Sequence, residues 1–301
     1  MEYFGGIETG GTKVNCMVAS DPEHVLAYER IPTTTPDKTI GDILAFFHRF
    51  QAEHEVKLET IGLGSFGPVD LNPNSPTYGY ITSTPKPGWQ NAPLLPAIAK
   101  ELDIPFIFDN DVNAAAIGEH LWGAAQDSQT FMYITIGTGV GGGIFTNGAA
   151  IHGLVHPEVG HICMPHDLQK DPFPGWCPFH ADCFEGLTAG PAMEKRWNTR
   201  AENLAPDHPA WELEAWYIAS ALRTFICCYS PERIILGGGV MQQETLFPMV
   251  RKFTLELLNG YVQSPAILES IDSYIVPPGL GDKAGIYGCI AMARLFKEGK
   301  I

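Results

Sequence analysis

The stretch Ile7-Glu8-Thr9-Gly10-Gly11-Thr12-Lys13 returns in altered form as Ile136-Gly137-Thr138-Gly139-Val140-Gly141-Gly142-Gly143, roughly 130 residues later. Each copy lies between two apolar runs, the pattern of a strand, a Gly/Thr hairpin turn and a second strand. A turn built from Gly and Thr leaves backbone N–H groups and small hydroxyls pointing outward. Such a turn can close on phosphate oxygens, because no Cβ blocks the approach. One copy by itself reads as a tight turn. Two copies in one chain point to two lobes, each lending a phosphate loop to one nucleotide.

Working outward, the first third alternates strands and helices. Residues 3–7, 14–19 and 25–31 read as a three-stranded meander. Thr39–His54 carries Ile40, Ile43, Leu44, Phe47 and Phe50 at helical spacing. Thr60–Gly64 reads as a buried strand, and Pro73–Pro93 as a long surface loop carrying Trp89. Leu94–Leu102 follows as a helix and Pro105–Phe108 as a strand, and Asp111 opens a helix running towards Leu121. The second half restarts with a strand at Phe131–Ile136. A loop-rich insertion covers His152–Glu185, and helices are predicted at Pro191–Asn198 and Trp211–Tyr229. A strand at Arg233–Leu236 and helices at Thr245–Asn259 and Gly285–Lys297 complete the chain. The order strand meander, helix, strand, helix, strand, helix therefore occurs twice, which predicts a duplicated α/β fold. The expected division is a small lobe of residues 1–116 plus 286–301 and a large lobe of 117–285.

Composition narrows the function class. The chain has 301 residues, 45% of them apolar, and a formal net charge of -15. No run reaches the roughly 20 apolar residues of a spanning helix. The acidity opposes binding to nucleic acid or to an anionic membrane. No secretory signal is read at the N-terminus, so a cytoplasmic location is expected. The seven cysteines, an odd number, read as reduced thiols or metal ligands. Cys16, Cys289 and the Cys227-Cys228 pair are expected in the core.

Three constellations carry chemistry. Asp111 stands at a strand C-terminus and a helix N-terminus, where α/β folds place ligands, and is the candidate catalytic base. Asp is also a common helix cap, but Asp109, Asn110 and Asp111 crowd this junction and one cap suffices. His161, Cys177, His180 and Cys183 offer two imidazoles and two thiolates, a set suited to tetrahedral zinc. Four filled positions leave none open, so the metal would be structural; Cys163 and His166 are alternative ligands. Glu158 and Glu185 flank this segment, and carboxylates held rigidly in this way can accept hydrogen bonds from paired sugar hydroxyls. Finally, Gly237-Gly238-Gly239-Val240 follows a strand and precedes a helix, where a flat base or ribose could lie on bare backbone. Candidate nucleotide contacts are Gly10, Gly11, Thr12, Lys13, Thr138, Gly139, Pro191, Gly237, Gly238, Gly239, Val240 and Met241.

These motifs together resemble the ROK family of sugar kinases, within the actin/hexokinase superfamily. The resemblance is carried by Glu8–Lys13, Asn110-Asp111-Val112-Asn113-Ala114-Ala115, Gly137–Gly142, Glu158-Val159-Gly160-His161, the Cys177–Cys183 segment and Gly237–Val240. It implies the actin-like (ribonuclease-H-like) ATPase fold in two lobes, with a zinc-bearing loop insertion. It makes Asp111 the catalytic base, and Asn110, Glu158, His161 and Glu185 sugar-hydroxyl ligands. It further implies ATP with Mg²⁺, in-line phosphoryl transfer to a hexose and a homodimer. The Cys-x2-His-x2-Cys loop, with Met164-Pro165-His166 and Gly175-Trp176-Cys177-Pro178, is similar to the fructokinase subgroup, which makes fructose the expected acceptor. Mannose, glucose or N-acetylmannosamine are the alternatives. A sugar-sensing regulator without catalysis is the remote one, disfavoured because the first strand begins at residue 3 and leaves no room for a helix-turn-helix. The general family has Asp where this chain has Glu8. The extra methylene carries the carboxylate roughly 1.5 Å further, which bears on its reach to Mg²⁺.

Overall fold

The computed structural model describes residues 1–301 and contains two five-stranded sheets of the same plan. The first is built from β1 (Tyr3–Thr9), β2 (Lys13–Asp21), β3 (His24–Pro32), β4 (Leu58–Ser65) and β5 (Phe106–Asn110), in the order β3-β2-β1-β4-β5. The second is built from β6 (Phe131–Ile136), β7 (Val140–Thr146), β8 (Ala149–Ala150), β9 (Arg233–Gly237) and β10 (Ile275–Val276). Its order, β8-β7-β6-β9-β10, repeats the first strand for strand. In both, the strand before the Gly/Thr turn pairs antiparallel with the strand after it, and parallel with the next strand along. The duplication read from the two loops is thus a duplication of whole sheets.

The helices are α1 (Pro36–Glu53), α2 (Leu94–Ala99), α3 (Asp111–Trp122), α4 (Phe184–Thr188), α5 (Gly190–Trp197) and α6 (Ala210–Tyr229). They continue with α7 (Leu246–Leu258), α8 (Pro265–Leu268), α9 (Ile271–Tyr274) and α10 (Ala284–Lys297). Pro36 supplies a ready-made first-turn φ for α1, which buries Ile40, Ile43, Phe46, Phe47 and Phe50 against the first sheet's core. Each such side chain contributes roughly 1.5–3 kcal/mol on leaving water. Helices α3 and α10 meet along a seam of small residues. A Cβ on Gly288 would stand 1.9 Å from the carbonyl oxygen of Ala114, so only glycine allows this approach. The seam matters for chemistry because α3 starts at Asp111.

Contacts divide the chain into two units: Met1–Gln126 with Ala149–His156 and Lys283–Ile301, and Asp127–Gly148 with Pro157–Asp282. The boundary drawn at 116/117 falls inside α3, a continuous helix. The segment 149–156 returns to the first unit, which no composition shift marks.

Three local expectations differ from the structure. Trp89 is not at the surface but fully buried; its indole N–H donates to the Thr34 carbonyl at 2.7 Å and its ring meets Phe66 edge-on. The Pro/Gly-rich stretch around it is a loop wrapped over the core, anchored by Trp89 together with the buried Ile81 and the flanking Tyr78. Cys227 and Cys228 lie on α6 as expected but are exposed, because the buried stripe of that helix runs through Leu222, Phe225 and Ile226 and ends there. The short elements α8, α9 and β10 were not foreseen: runs of two to four residues show no measurable period. Cys16 and Cys289 are buried as expected.

Candidate active site and metal centre

Asp111 is the first residue of α3, and the residue that caps this helix is Asn110. The Asn110 Oδ1 accepts the backbone N–H of Asn113 at 2.7 Å, whereas the Asp111 Oδ1 lies 3.0 Å from the N–H of Val112. The capping role that competes with catalysis is therefore taken by the neighbour. Asn110 is buried, and its Nδ2 has no partner in the protein. A buried amide donor left unmade is costly, and a sugar hydroxyl would satisfy it.

In the same unit, the first Gly/Thr turn is closed by the Gly10 N–H donating to the Lys13 carbonyl at 2.8 Å. Thr33 braces it, its Oγ1 donating to the Gly10 carbonyl at 2.7 Å, and the Lys86 ammonium donates to the Gly11 carbonyl. Thr12 and Lys13 are exposed at the tip. Lys86 is a cation at this loop that the sequence reading missed, because it lies 75 residues from its partner inside a Pro/Gly-rich segment. Glu8 accepts from the Asn15 side chain at 2.7 Å and packs against the first turn of α10 at Gly285, where the helix dipole favours a negative charge.

The second unit gathers the other candidates. The Gly137–Gly139 turn is closed by a 2.9 Å hydrogen bond, and the Gly190 N–H donates to the Gly137 carbonyl at 2.8 Å. This brings Pro191, in the first turn of α5, beside the loop. The Gly237–Gly239 run abuts the same turn: a Cβ on Gly137 would lie 3.7 Å from the Gly239 nitrogen. Thr138 and Gly239 are exposed, while the side chains of Val240 and Met241 are buried, so any contact from these two comes from backbone. Glu185 is tied to the loop as well. Its Oε2 accepts the Val140 N–H at 2.9 Å, and a Cβ on Gly139 would come within 2.7 Å of the same oxygen. A residue read as a sugar ligand thus also fixes the second Gly/Thr turn.

His161, Cys177, His180 and Cys183 converge, with their ligand atoms all within 4.8 Å of one another. The His161 Nδ1 stands 3.5 Å from the Cys183 Sγ and 3.8 Å from the Cys177 Sγ, and the His180 Nδ1 is 3.8 Å from the Cys177 Sγ. A tetrahedron with about 2.3 Å to sulfur and 2.0–2.1 Å to nitrogen has S···N edges of about 3.5 Å. Paired backbone hydrogen bonds between Cys177 and Ala181 fold the loop so that its three ligands face inward. Burial, then the neighbouring Cys177 thiol, pushes the Cys183 thiol up to about 12. A divalent cation would displace these protons. The alternatives Cys163 and His166 are not in the cluster. Cys163 is exposed, and His166 is engaged with Asp182 and with the carbonyl of Asp171.

Glu158 keeps surface access, yet protein crowds its carboxyl enough to strip it of water, and Glu185 adds a like charge. Together they push it up to about 7. Its contribution to folding is therefore favourable below the free carboxyl's 4.5 and is lost as pH rises through about 7. Hydroxyl donors favour the ionised form, so a sugar held by Glu158 would expel the proton. The KM for sugar is expected to fall as pH rises through about 7, with no parallel change for ATP, and Glu158→Gln should remove that dependence. A flat sugar KM in the wild type across this range contradicts the role given to Glu158.

The chain matches the ROK family along residues 4–295. A "putative fructokinase" of Bacillus subtilis is 45% identical over 291 residues, covering 97% of this chain and 95% of that protein. This chain belongs to the ROK family. A "fructokinase" of Zymomonas mobilis is 41% identical over 295 residues, covering 97% and 96%. Among solved structures, the ROK hexokinase of Thermus thermophilus superposes with a TM-score of 0.80 at 26% identity, covering 99% of both chains. The repeated five-stranded plan is accordingly the actin-like ATPase fold of ROK sugar kinases.

Proposed function

We propose that this ROK protein transfers the γ-phosphoryl group of ATP to the 6-hydroxyl of fructose, giving fructose 6-phosphate and ADP. The observation that carries the kinase reading is the pair of Gly/Thr phosphate turns on matching sheets, one beside the Asp111 junction and one tied to Glu185. Fructose is supported by the similarity to fructokinases over nearly the whole chain.

Asp111 accepts the proton of the attacking hydroxyl, held by a helix that Asn110 caps. Asn110, Glu158, His161 and Glu185 orient the sugar through its hydroxyls. The turns at Gly10–Lys13 and Thr138–Gly139, with Pro191 and Gly237–Met241, hold the nucleotide. Mg²⁺ enters with ATP and neutralises phosphate charge. Glu8, set between Asn15 and the first turn of α10, is the first unit's candidate to hold it. Most of the rate in such a transfer comes from positioning and electrostatics, so Asp111 needs no strongly raised pKa.

His161, Cys177, His180 and Cys183 fit a structural zinc ion, which leaves the metal no open position for catalysis. A cytoplasmic homodimer is part of the same proposal; no helix is long and apolar enough to cross a membrane. The product identifies the reaction. Incubation with ATP, Mg²⁺ and fructose should yield a sugar phosphate that phosphoglucose isomerase accepts, as only the 6-phosphate does. A 1-phosphate product would rule out the regiochemistry.

A further inference from the structure

The junction that carries Asp111 holds a second layer of polar side chains with no assigned purpose. Asp109, the residue before Asn110, is buried at the end of β5. Its Oδ1 accepts two hydrogen bonds, from the backbone N–H of Asn110 at 2.7 Å and from the Asn113 Nδ2 at 2.9 Å. Its Oδ2 faces the Nε2 of His152 at 2.8 Å. His152 comes from the segment 149–156, which the first unit recovers from the middle of the second unit's sequence. The backbone of Ala150 offers the ring a further partner, and the hydrogen bond to Asp109 raises its pKa above the usual histidine range.

These contacts form a chain. His152 fixes Asp109, Asp109 holds the backbone N–H of Asn110 and the side-chain amide of Asn113, and the backbone N–H of Asn113 holds the Oδ1 of Asn110. Two polar atoms of this network make no bond in the protein, the Asn110 Nδ2 and the Asn113 Oδ1, and only the first is a donor. With Oδ1 committed to the helix cap, the Asn110 amide cannot flip, and it presents a donor rather than an acceptor. We infer that His152 is a positioning residue for the acceptor sugar, acting through Asp109 to keep the Asn110 amide oriented and available to a sugar hydroxyl. Without His152, the Oδ2 of Asp109 loses its donor, and the carboxylate is free to turn away from the Asn110 N–H that it holds. The backbone that carries the Asn110 amide would then be less firmly placed for the sugar. This inference rests on the reading of Asn110 as a sugar ligand.

The test is steady-state kinetics on the full-length protein with His152→Ala, His152→Gln, Asp109→Asn and Asn110→Ala. His152→Ala should raise the KM for sugar by about tenfold, the worth of one charge-assisted hydrogen bond, with kcat and the KM for ATP nearly unchanged. Gln keeps a donor toward Asp109, so His152→Gln should recover most of the loss. Asp109→Asn should show the same selective rise. A purely structural role would instead lower thermal stability and move both KM values and kcat together, without rescue by Gln, and that result overturns the inference. If Asn110→Ala raises the sugar KM and His152→Ala does not, this inference fails while the acceptor reading stands. If Asn110→Ala leaves the sugar KM unchanged, both fall.

Discussion

Asp111→Asn is expected to cut turnover by about 10²–10⁴, the share that a positioned general base contributes. The substitution keeps the side chain's size and an acceptor oxygen for the Val112 N–H, and it removes the negative charge and the ability to accept a proton. Helix α3 should form as before, because its cap is the Oδ1 of Asn110 and not Asp111. The close seam of α3 against α10 does not involve the carboxylate, so the thermal midpoint should move little. ATP binding, assigned to the two Gly/Thr turns, should also be retained. The measurement is single-turnover phosphoryl transfer alongside nucleotide affinity and melting temperature. Transfer at the wild-type rate would reduce Asp111 to a helix residue without catalytic function. Slow transfer with intact nucleotide affinity is the result that assigns it the base.

Loss of the metal is the second large effect expected. Protein purified without chelator should carry about one zinc per chain, since the cluster of His161, Cys177, His180 and Cys183 offers one full tetrahedral set. Cys177→Ser should weaken zinc by at least about 100-fold, since even changes behind a ligand cost 10–100-fold. Stability should fall with it, because the metal would tie the Cys177–Cys183 loop to His161, a link that its Cys177–Ala181 pairing and its Asp182–His166 contact do not supply. The kinetic consequence should be asymmetric. His161 and Glu185 are fixed by the loop, so the KM for sugar should rise more than that for ATP. Glu185 also accepts the Val140 N–H, so a smaller change in nucleotide affinity should accompany it. Elemental analysis that finds no zinc would remove the metal from the account.

The fold was legible because both sheets announce themselves locally. Each Gly/Thr turn sits between apolar strands long enough to show their pattern, and α1, α6, α7 and α10 each span several turns of helix. What escaped was set by contacts distant in sequence. Trp89 reads as a surface residue in a Pro/Gly-rich loop until its indole is seen donating to Thr34, 55 residues away. Cys227 and Cys228 belong to an apolar stretch, yet a helix buries only one face and these two lie where that face ends. The site shows the same division. The candidate zinc ligands are close in sequence and their spacing gives them away. Asp109 with His152, and Lys86 with the Gly11 carbonyl, are separated by 43 and 75 residues, and no spacing rule connects them. Asn110 was singled out for its position, but its double duty as cap and unpartnered donor appears only in three dimensions.

The proposal that this chain is a fructose-phosphorylating kinase is tested most directly by kcat/KM for fructose, mannose and glucose under identical ATP and Mg²⁺ conditions. Glu158, His161 and Glu185, as the proposed sugar ligands, would grip vicinal hydroxyls of several hexoses, so measurable activity on mannose or glucose is compatible with it. Sites built on hydrogen bonds discriminate strongly against a missing hydroxyl and weakly against an isomer that satisfies the same groups. Fructose is predicted to have the highest value of the three. A value for glucose or mannose about tenfold above that for fructose, a difference of roughly 1.4 kcal/mol in transition-state binding, would contradict the fructose assignment. Absence of phosphoryl transfer to all three would contradict the kinase itself.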